Sequence, residues 1–205
     1  MAYLIVQNVE ERFFMEKIKI IALFGEAGSG KDYIQNALIE STWDKRYFHK
    51  VISSTTRPPR EGEKDGVDYH FIPSSAEFFN LDNMHKWIEF TSFRNWWYGT
   101  SIDHLSTEKI NIGVFNIKGI CSLLEDEQIE CLPIYIKTYP KIRLLRQLQR
   151  ETNPDCDEII RRYLTDQKDF LNIPFEYHVI YNNTFEIQPI VTEIIELSKC
   201  MDKIG

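Results

Sequence analysis

The chain has 205 residues, 43% of them hydrophobic, enough to bury one sizeable core. A formal net charge of −7 and a pI near 5.3 argue against any general affinity for nucleic acid or anionic membrane. No apolar run reaches membrane-spanning length, and Cys121, Cys131, Cys156 and Cys200 show neither a CxxC nor a metal-ligand spacing, which fits a reducing, cytoplasmic setting.

Residues 1–14 hold a short apolar patch, Tyr3–Val6, then charges without a secretory pattern; ahead of a single domain over 15–205 they read either as an extension packed outside the core or as the result of an alternative start, with Met15 the other one. Ile18–Phe24 is a continuous apolar run suited to a buried parallel strand. It leads into Gly25-Glu26-Ala27-Gly28-Ser29-Gly30-Lys31-Asp32, the phosphate-binding loop pattern of Gly, four residues, Gly and Lys, with Asp32 where Ser or Thr is expected. Tyr33, Ile34, Ala37 and Leu38 then recur at helical spacing. Strand, glycine turn and helix gather successive backbone N–H groups around one anion, and Lys31 adds a mobile cation over the β- and γ-phosphates.

The next informative stretch is Ser53–Phe71, SSTTRPPREGEKDGVDYHF. Arg57 and Arg60 flank the stiff Pro58-Pro59 pair, Gly62 and Gly66 supply turns, and Tyr69 brings a hydroxyl back toward the arginines. Guanidinium forks on a rigid loop suit a phosphate dianion. The other reading is a solvated loop in which Glu61, Glu63, Asp65 and Asp68 neutralise those arginines. Further on come Trp87-Ile88-Glu89-Phe90 and Trp97-Tyr98-Gly99-Thr100, with Trp96 and Trp97 placed to wall a pocket.

These segments together resemble the guanylate kinase family, whose members move the γ-phosphate of ATP onto GMP. The resemblance runs from about Ile18 to the last helix. It implies that Ser53, Arg57, Arg60 and Tyr69 form half of a GMP pocket, that Glu89 reads guanine, and that Tyr98 holds the acceptor phosphate beside Gly99. Thr100 stands where the family usually has serine. The chemistry agrees: guanine presents two adjacent donors, which one carboxylate accepts bidentately, whereas adenine has no such pair.

Further strands are predicted at Val51–Ile52, Ile112–Ile117, Cys131–Ile136 and His178–Tyr181, with helical patterns between several of them. The expected architecture is an α/β P-loop kinase fold, a parallel five-stranded sheet with helices on both faces. Its core takes in 15–52, 111–140 and 163–205, with a GMP-binding insertion at 53–110 and a helical lid at 141–162. In the lid Arg143, Arg146 and Arg150 share a helix face without acids at i+4, while Ile142, Leu144, Leu145 and Leu148 are expected to pack inward. Asp157–Phe170 repeats the plan, with Arg161 and Arg162 opposite an apolar side of Ile159, Ile160, Tyr163 and Leu164.

The resemblance assigns Arg146 and Arg150 to the arginines that close over the phosphates, and makes Arg161 or Arg162 the returning one. With Lys31 and Arg57, Arg146 and Arg150 are the expected catalytic groups. It also sets Asn182 beside the adenine of ATP. The chain departs from the family at Val114-Phe115-Asn116, where an Asp-x-Asp is usual; the first position belongs to the Mg2+ environment, the second, Asn116, to the guanine end. Asp32 therefore has two readings, a relocated ligand of the Mg2+ that accompanies ATP or a helix cap. The expected activity is ATP:GMP phosphoryl transfer, and no residue excludes dGMP. The alternative is a weakened guanylate-kinase-like binding module, which typically lacks the phosphate loop kept here. The expected partners are ATP and GMP, without nucleic acid or membrane, in a monomer or homodimer. The histidines look incidental.

Overall fold

The computed structural model describes residues 16–41, 47–59, 62–80, 86–93, 95–150, 152–184 and 186–201. The 1–14 extension and Arg60 lie outside them. The apolar run after Lys19 forms β1 (Ile18–Phe24), in which every residue from Ile20 to Phe24 has zero exposure. Only a strand covered on both faces buries consecutive side chains, since neighbours point to opposite sides. The covering strands and helices follow. β2 (Phe48–Lys50), β7 (Ile110–Val114), β8 (Ile129–Lys137) and β9 (His178–Tyr181) complete a five-stranded sheet in the order β2-β7-β1-β8-β9, with every pair parallel. Ile21 and Leu23 meet Ile34 and Leu38 of α1 (Lys31–Glu40) and Ile190, Val191 and Ile194 of α6 (Gln188–Ser198) on one face. Ile20, Ala22 and Phe24 meet Ile120 and Leu123 of α3 (Ile117–Glu125) on the other.

Two predicted strand edges move. Val51–Ile52 lies just beyond β2, and β7 stops at Val114 instead of Ile117. The cause of the second shift is Asn116, whose Oδ1 accepts the Gly119 N–H at 2.8 Å and so caps α3. The strand cannot continue through a helix cap.

The segment after Ile52 builds a second sheet in the order β4-β3-β6-β5, from β3 (Ser54–Thr55), β4 (His70–Phe71), β5 (Trp87–Phe93) and β6 (Trp96–Ser101). α2 (Ser75–Phe78) packs beside it. Trp97 meets Phe79 edge-on with ring centroids 4.6 Å apart, and Trp87 stacks on Phe78 at 4.2 Å. The expectation that Trp96 and Trp97 wall the site is corrected by this packing. Trp97 belongs to the sheet's own aromatic core, Trp96 is 38% exposed, and neither lines the cleft.

α4 (Pro140–Gln149) and α5 (Cys156–Asp169) form a helical pair over the phosphate loop. Their predicted apolar sides are also corrected. Leu145, Leu148, Ile160 and Leu164 are exposed, while Arg143 is 3% exposed. The helices face a polar loop instead of an oily core, so the usual hydrophobic stripe gives the wrong face.

Candidate active site

The phosphate loop leaves the end of β1 and enters α1. Gly28 has φ +77°, and a Cβ there would come within 2.6 Å of the Arg143 carbonyl oxygen. Gly30 has φ +92°, and its Cβ would come within 2.5 Å of Asn182 Nδ2. Both positions therefore require glycine, for backbone angle and for space. Lys31 Nζ folds into the turn and donates to Gly25 O at 2.7 Å, Glu26 O at 3.0 Å and Ser29 Oγ at 3.3 Å. Burial pulls its pKa down, against the raising charges of Asp32, Asp166 and Glu26.

Asn182 is 4% exposed, and its Nδ2 donates to Ser29 O at 2.7 Å, bracing the loop from behind. Arg146 joins it there: Nη1 donates to Ser29 O at 3.3 Å, while Nη2 donates to Asn182 Oδ1 at 3.4 Å and Thr184 O at 3.3 Å. The two arginines expected to act as a pair are thus on different sides. Arg150 lines the main cleft with Arg162, whereas Arg146 lies against the back of the loop. The open choice between Arg161 and Arg162 resolves toward Arg162 as the one facing the cleft. Both are held by Glu158, whose carboxyl the hydrogen bonds from Arg161 and then Arg162 depress to about 2.

At the other end, strand register brings the predicted base-reading residues together. Glu89 pairs with Thr100 across β5 and β6, and Ser54 pairs with Gly99 across β3 and β6. Thr100 Oγ1 donates to Glu89 Oε1 at 2.7 Å, and Ser53 Oγ lies 3.4 Å from the same hydroxyl. Glu89 is 9% exposed, and burial raises its pKa although the Thr100 hydrogen bonds work the other way. A Cβ at Gly119 would lie 3.0 Å from Glu89 Oε2 and 3.5 Å from Asn116 Oδ1, so the first turn of α3 closes tightly beside the carboxylate.

Arg57 is buried and faces the cleft, but Glu63 holds it: Nη2 lies 2.9 Å from each carboxylate oxygen, and Nη1 donates to Pro58 O at 2.7 Å. Its guanidinium also sits over the Tyr69 ring at 5.4 Å, and Tyr69 meets Tyr98 edge-on at 6.1 Å. The neutralising reading of the acidic loop therefore holds for Glu63. Burial raises the Tyr69 pKa, so its hydroxyl stays a donor.

One cleft of about 670 Å³ collects these ends. Asp32, Arg57, Tyr69, Glu89, Tyr98, Asn116, Arg150 and Arg162 line it together. Asp32 is exposed in the first turn of α1 and accepts no hydrogen bond among the described residues. The N-cap of α1 is Gly30, with no side-chain cap, so Asp32 is not the helix cap of the second reading. Among the described residues no three His, Cys, Asp or Glu side chains cluster as a metal cage. A magnesium ion on a triphosphate draws most of its ligands from phosphate and water, so a lone carboxylate beside the loop fits it.

The sequence reading missed a buried ionic group on the far side of the loop. Arg143 lies 3.5 Å from Glu26 and 3.9 Å from Asp166 and sits over the Tyr163 ring at 5.3 Å. The one-signed face of α4 is compensated by acids from other elements, which spacing within the helix cannot reveal. The available signal was Glu26, a carboxylate in the crest of an anion-binding loop.

Asp32, at the exit of the glycine loop, shares a cleft with the buried, hydroxyl-braced Glu89. The family profile described as guanylate kinase matches residues 17–198. The chain belongs to the guanylate kinase family. Guanylate kinase of Rickettsia bellii is 31% identical over 188 residues, 88% of this chain and 95% of that one. That of Schizosaccharomyces pombe is 40% identical over 95 residues, a match spanning 46% of each chain. The crystal structure of guanylate kinase from Anaplasma phagocytophilum superposes with a TM-score of 0.62 at 18% identity, covering 93% of this chain and 89% of that one, a likeness of fold. Membership in the guanylate kinase family makes the chain a nucleoside monophosphate kinase. Among the described residues no helix is long and apolar enough to cross a membrane.

Proposed function

We propose that the chain transfers the γ-phosphoryl group of ATP to GMP, with dGMP as a second acceptor. The observation that carries this reading is Glu89, a carboxylate buried in the same cleft that Asp32, at the exit of the phosphate loop, lines. Burying an ionisable acceptor without a cationic partner is unfavourable. Two adjacent donors on a ligand, as on guanine, would offset it, and adenine lacks them.

In this reading Lys31 and the loop amides bind the donor phosphates, with Asn182 and Arg146 supporting the loop from the adenine side. Tyr69 and Tyr98 bind the acceptor phosphate together with Arg57, which must exchange Glu63 for that dianion, and with Arg60. Ser53 and Thr100 keep Glu89 aligned, and Asn116 sets the wall at the guanine end. Arg150 and Arg162 supply positive charge above the transferring group and exclude water. Magnesium, held through Asp32, would neutralise charge on the donor phosphates.

A coupled ATP assay across the nucleoside monophosphates tests the reading. GMP should lead, dGMP follow, and AMP, CMP and UMP trail; comparable rates with AMP and GMP would overturn it. The split of the lid arginines has its own test. Arg150→Ala should lower kcat about fivefold with little change in KM for ATP, whereas Arg146→Ala should chiefly raise that KM. Full turnover by Arg150→Ala removes that residue from the site.

A further inference from the structure

Glu26 and Ala27 share one peptide plane at the crest of the phosphate loop. On one edge of that plane, Glu26 O accepts Lys31 Nζ at 3.0 Å. On the opposite edge, Ala27 N donates to Asp166 Oδ2 at 2.6 Å. A trans peptide is rigid, with its N–H and C=O antiparallel, so whatever fixes the N–H also aims the carbonyl. Glu26 O also accepts the Ser29 N–H at 3.1 Å, so the plane is set from both edges, by the turn on the carbonyl side and by Asp166 on the amide side.

Asp166 is suited to this work. It lies on α5 one turn beyond Arg162, which faces the cleft, so a single helix touches both the cleft and the loop. Arg143 is a charge neighbour at 3.9 Å, too far for a hydrogen bond, which leaves the Asp166 carboxylate to the Ala27 amide. Gln147 of α4 reaches the next carbonyl, donating to Ala27 O at 3.4 Å.

We propose that Asp166 is a positioning residue that orients Lys31 through the Glu26–Ala27 peptide, so that the helix carrying Arg162 also sets the ammonium that meets the donor phosphates. The proposal rests on the reading of this loop as the triphosphate site. It concerns placement of the lysine alone, and Asp166 touches no reacting atom.

The test is a set of dissociation constants for ATP and for GMP, measured on the full chain. Asp166→Leu, which removes the acceptor but fills the space, should weaken ATP about fivefold and leave GMP unchanged. Asp166→Asn keeps an acceptor oxygen and should recover most of the loss. On a Lys31→Ala background, Asp166→Leu should change ATP affinity by less than about twofold, because the coupling partner is gone. An equal loss in both backgrounds, or a parallel loss of ATP and GMP, would mean a merely structural role and overturn the proposal. Asp166→Ala, with a thermal unfolding curve, replaces the Leu variant if that chain does not fold. A wild-type chain that binds no ATP defeats both this inference and the loop reading. One that binds ATP but does not phosphorylate GMP defeats the proposed activity while the ATP cycle still decides the role of Asp166.

Discussion

Glu89→Gln should lower kcat/KM for GMP by about thirty- to hundredfold while leaving the poor rate with AMP within a few-fold. The wild-type carboxylate accepts the Thr100 hydroxyl at Oε1 and faces the cleft from a site that is 9% exposed. Glutamine replaces one of its two acceptor oxygens with a donor, which would oppose a guanine donor in a nearly dry pocket. A charge-assisted hydrogen bond lost under such conditions costs about 2–2.7 kcal/mol, which gives the range above. Steady-state rates with both acceptors check it, and unchanged discrimination would remove Glu89 from the base site. The same substitution should raise the unfolding temperature by a few degrees. Burial holds the folded pKa of Glu89 above its unfolded value. Its favourable contribution is therefore present below the unfolded pKa and lost as pH rises through the folded one, so above that raised pKa the ionised side chain burdens the fold. GMP binding should show the opposite trend, weakening as pH falls through that raised pKa, and the Gln variant should lose this step.

How far this site could be read in advance depended on what each residue packs against. β1 and β9 appear where their apolar runs lie, because burial on both faces or at a sheet edge leaves a local pattern. The loop was legible because Gly28 and Gly30 answer to close contacts that no other residue permits. Glu89 and Thr100 were named in advance, yet their pairing across β5 and β6 is a matter of register between strands. The helices above the loop were misread for a related reason. Arg143 is buried because Glu26 and Asp166 come to it from other elements, and no pattern within α4 encodes those partners. Likewise Glu63 was one of four candidate acids around Arg57, and only the turn of the 62–69 segment selects it.

Asp32→Ser should reduce turnover about ten- to thirtyfold and raise the magnesium concentration needed for half-maximal rate. Ordinary phosphate loops present a neutral hydroxyl at this position, and the family adds a carboxylate from the third strand. Here that strand, β7, offers Val114, which lines the cleft with Asp32 and packs partly into the core, so the carboxylate next to Lys31 in sequence is that of Asp32. It is exposed and makes no capping bond, so it is open to a ligand, although a carboxylate in the first turn still favours the helix through its dipole. A bare carboxylate beside a triphosphate repels it, and a cation between the two turns the repulsion into attraction. Two opposite signs follow for the serine variant. ATP should bind more tightly than to wild type when magnesium is chelated, and more weakly when magnesium is saturating. Adding Val114→Asp to Asp32→Ser should restore part of both the rate and the magnesium response, by returning a carboxylate to the site from the strand. Calorimetric titration of ATP with and without the metal reads the sign change independently of turnover. A serine variant that is more active than wild type, or whose ATP affinity moves in the same direction under both conditions, would show that Asp32 does not hold the metal.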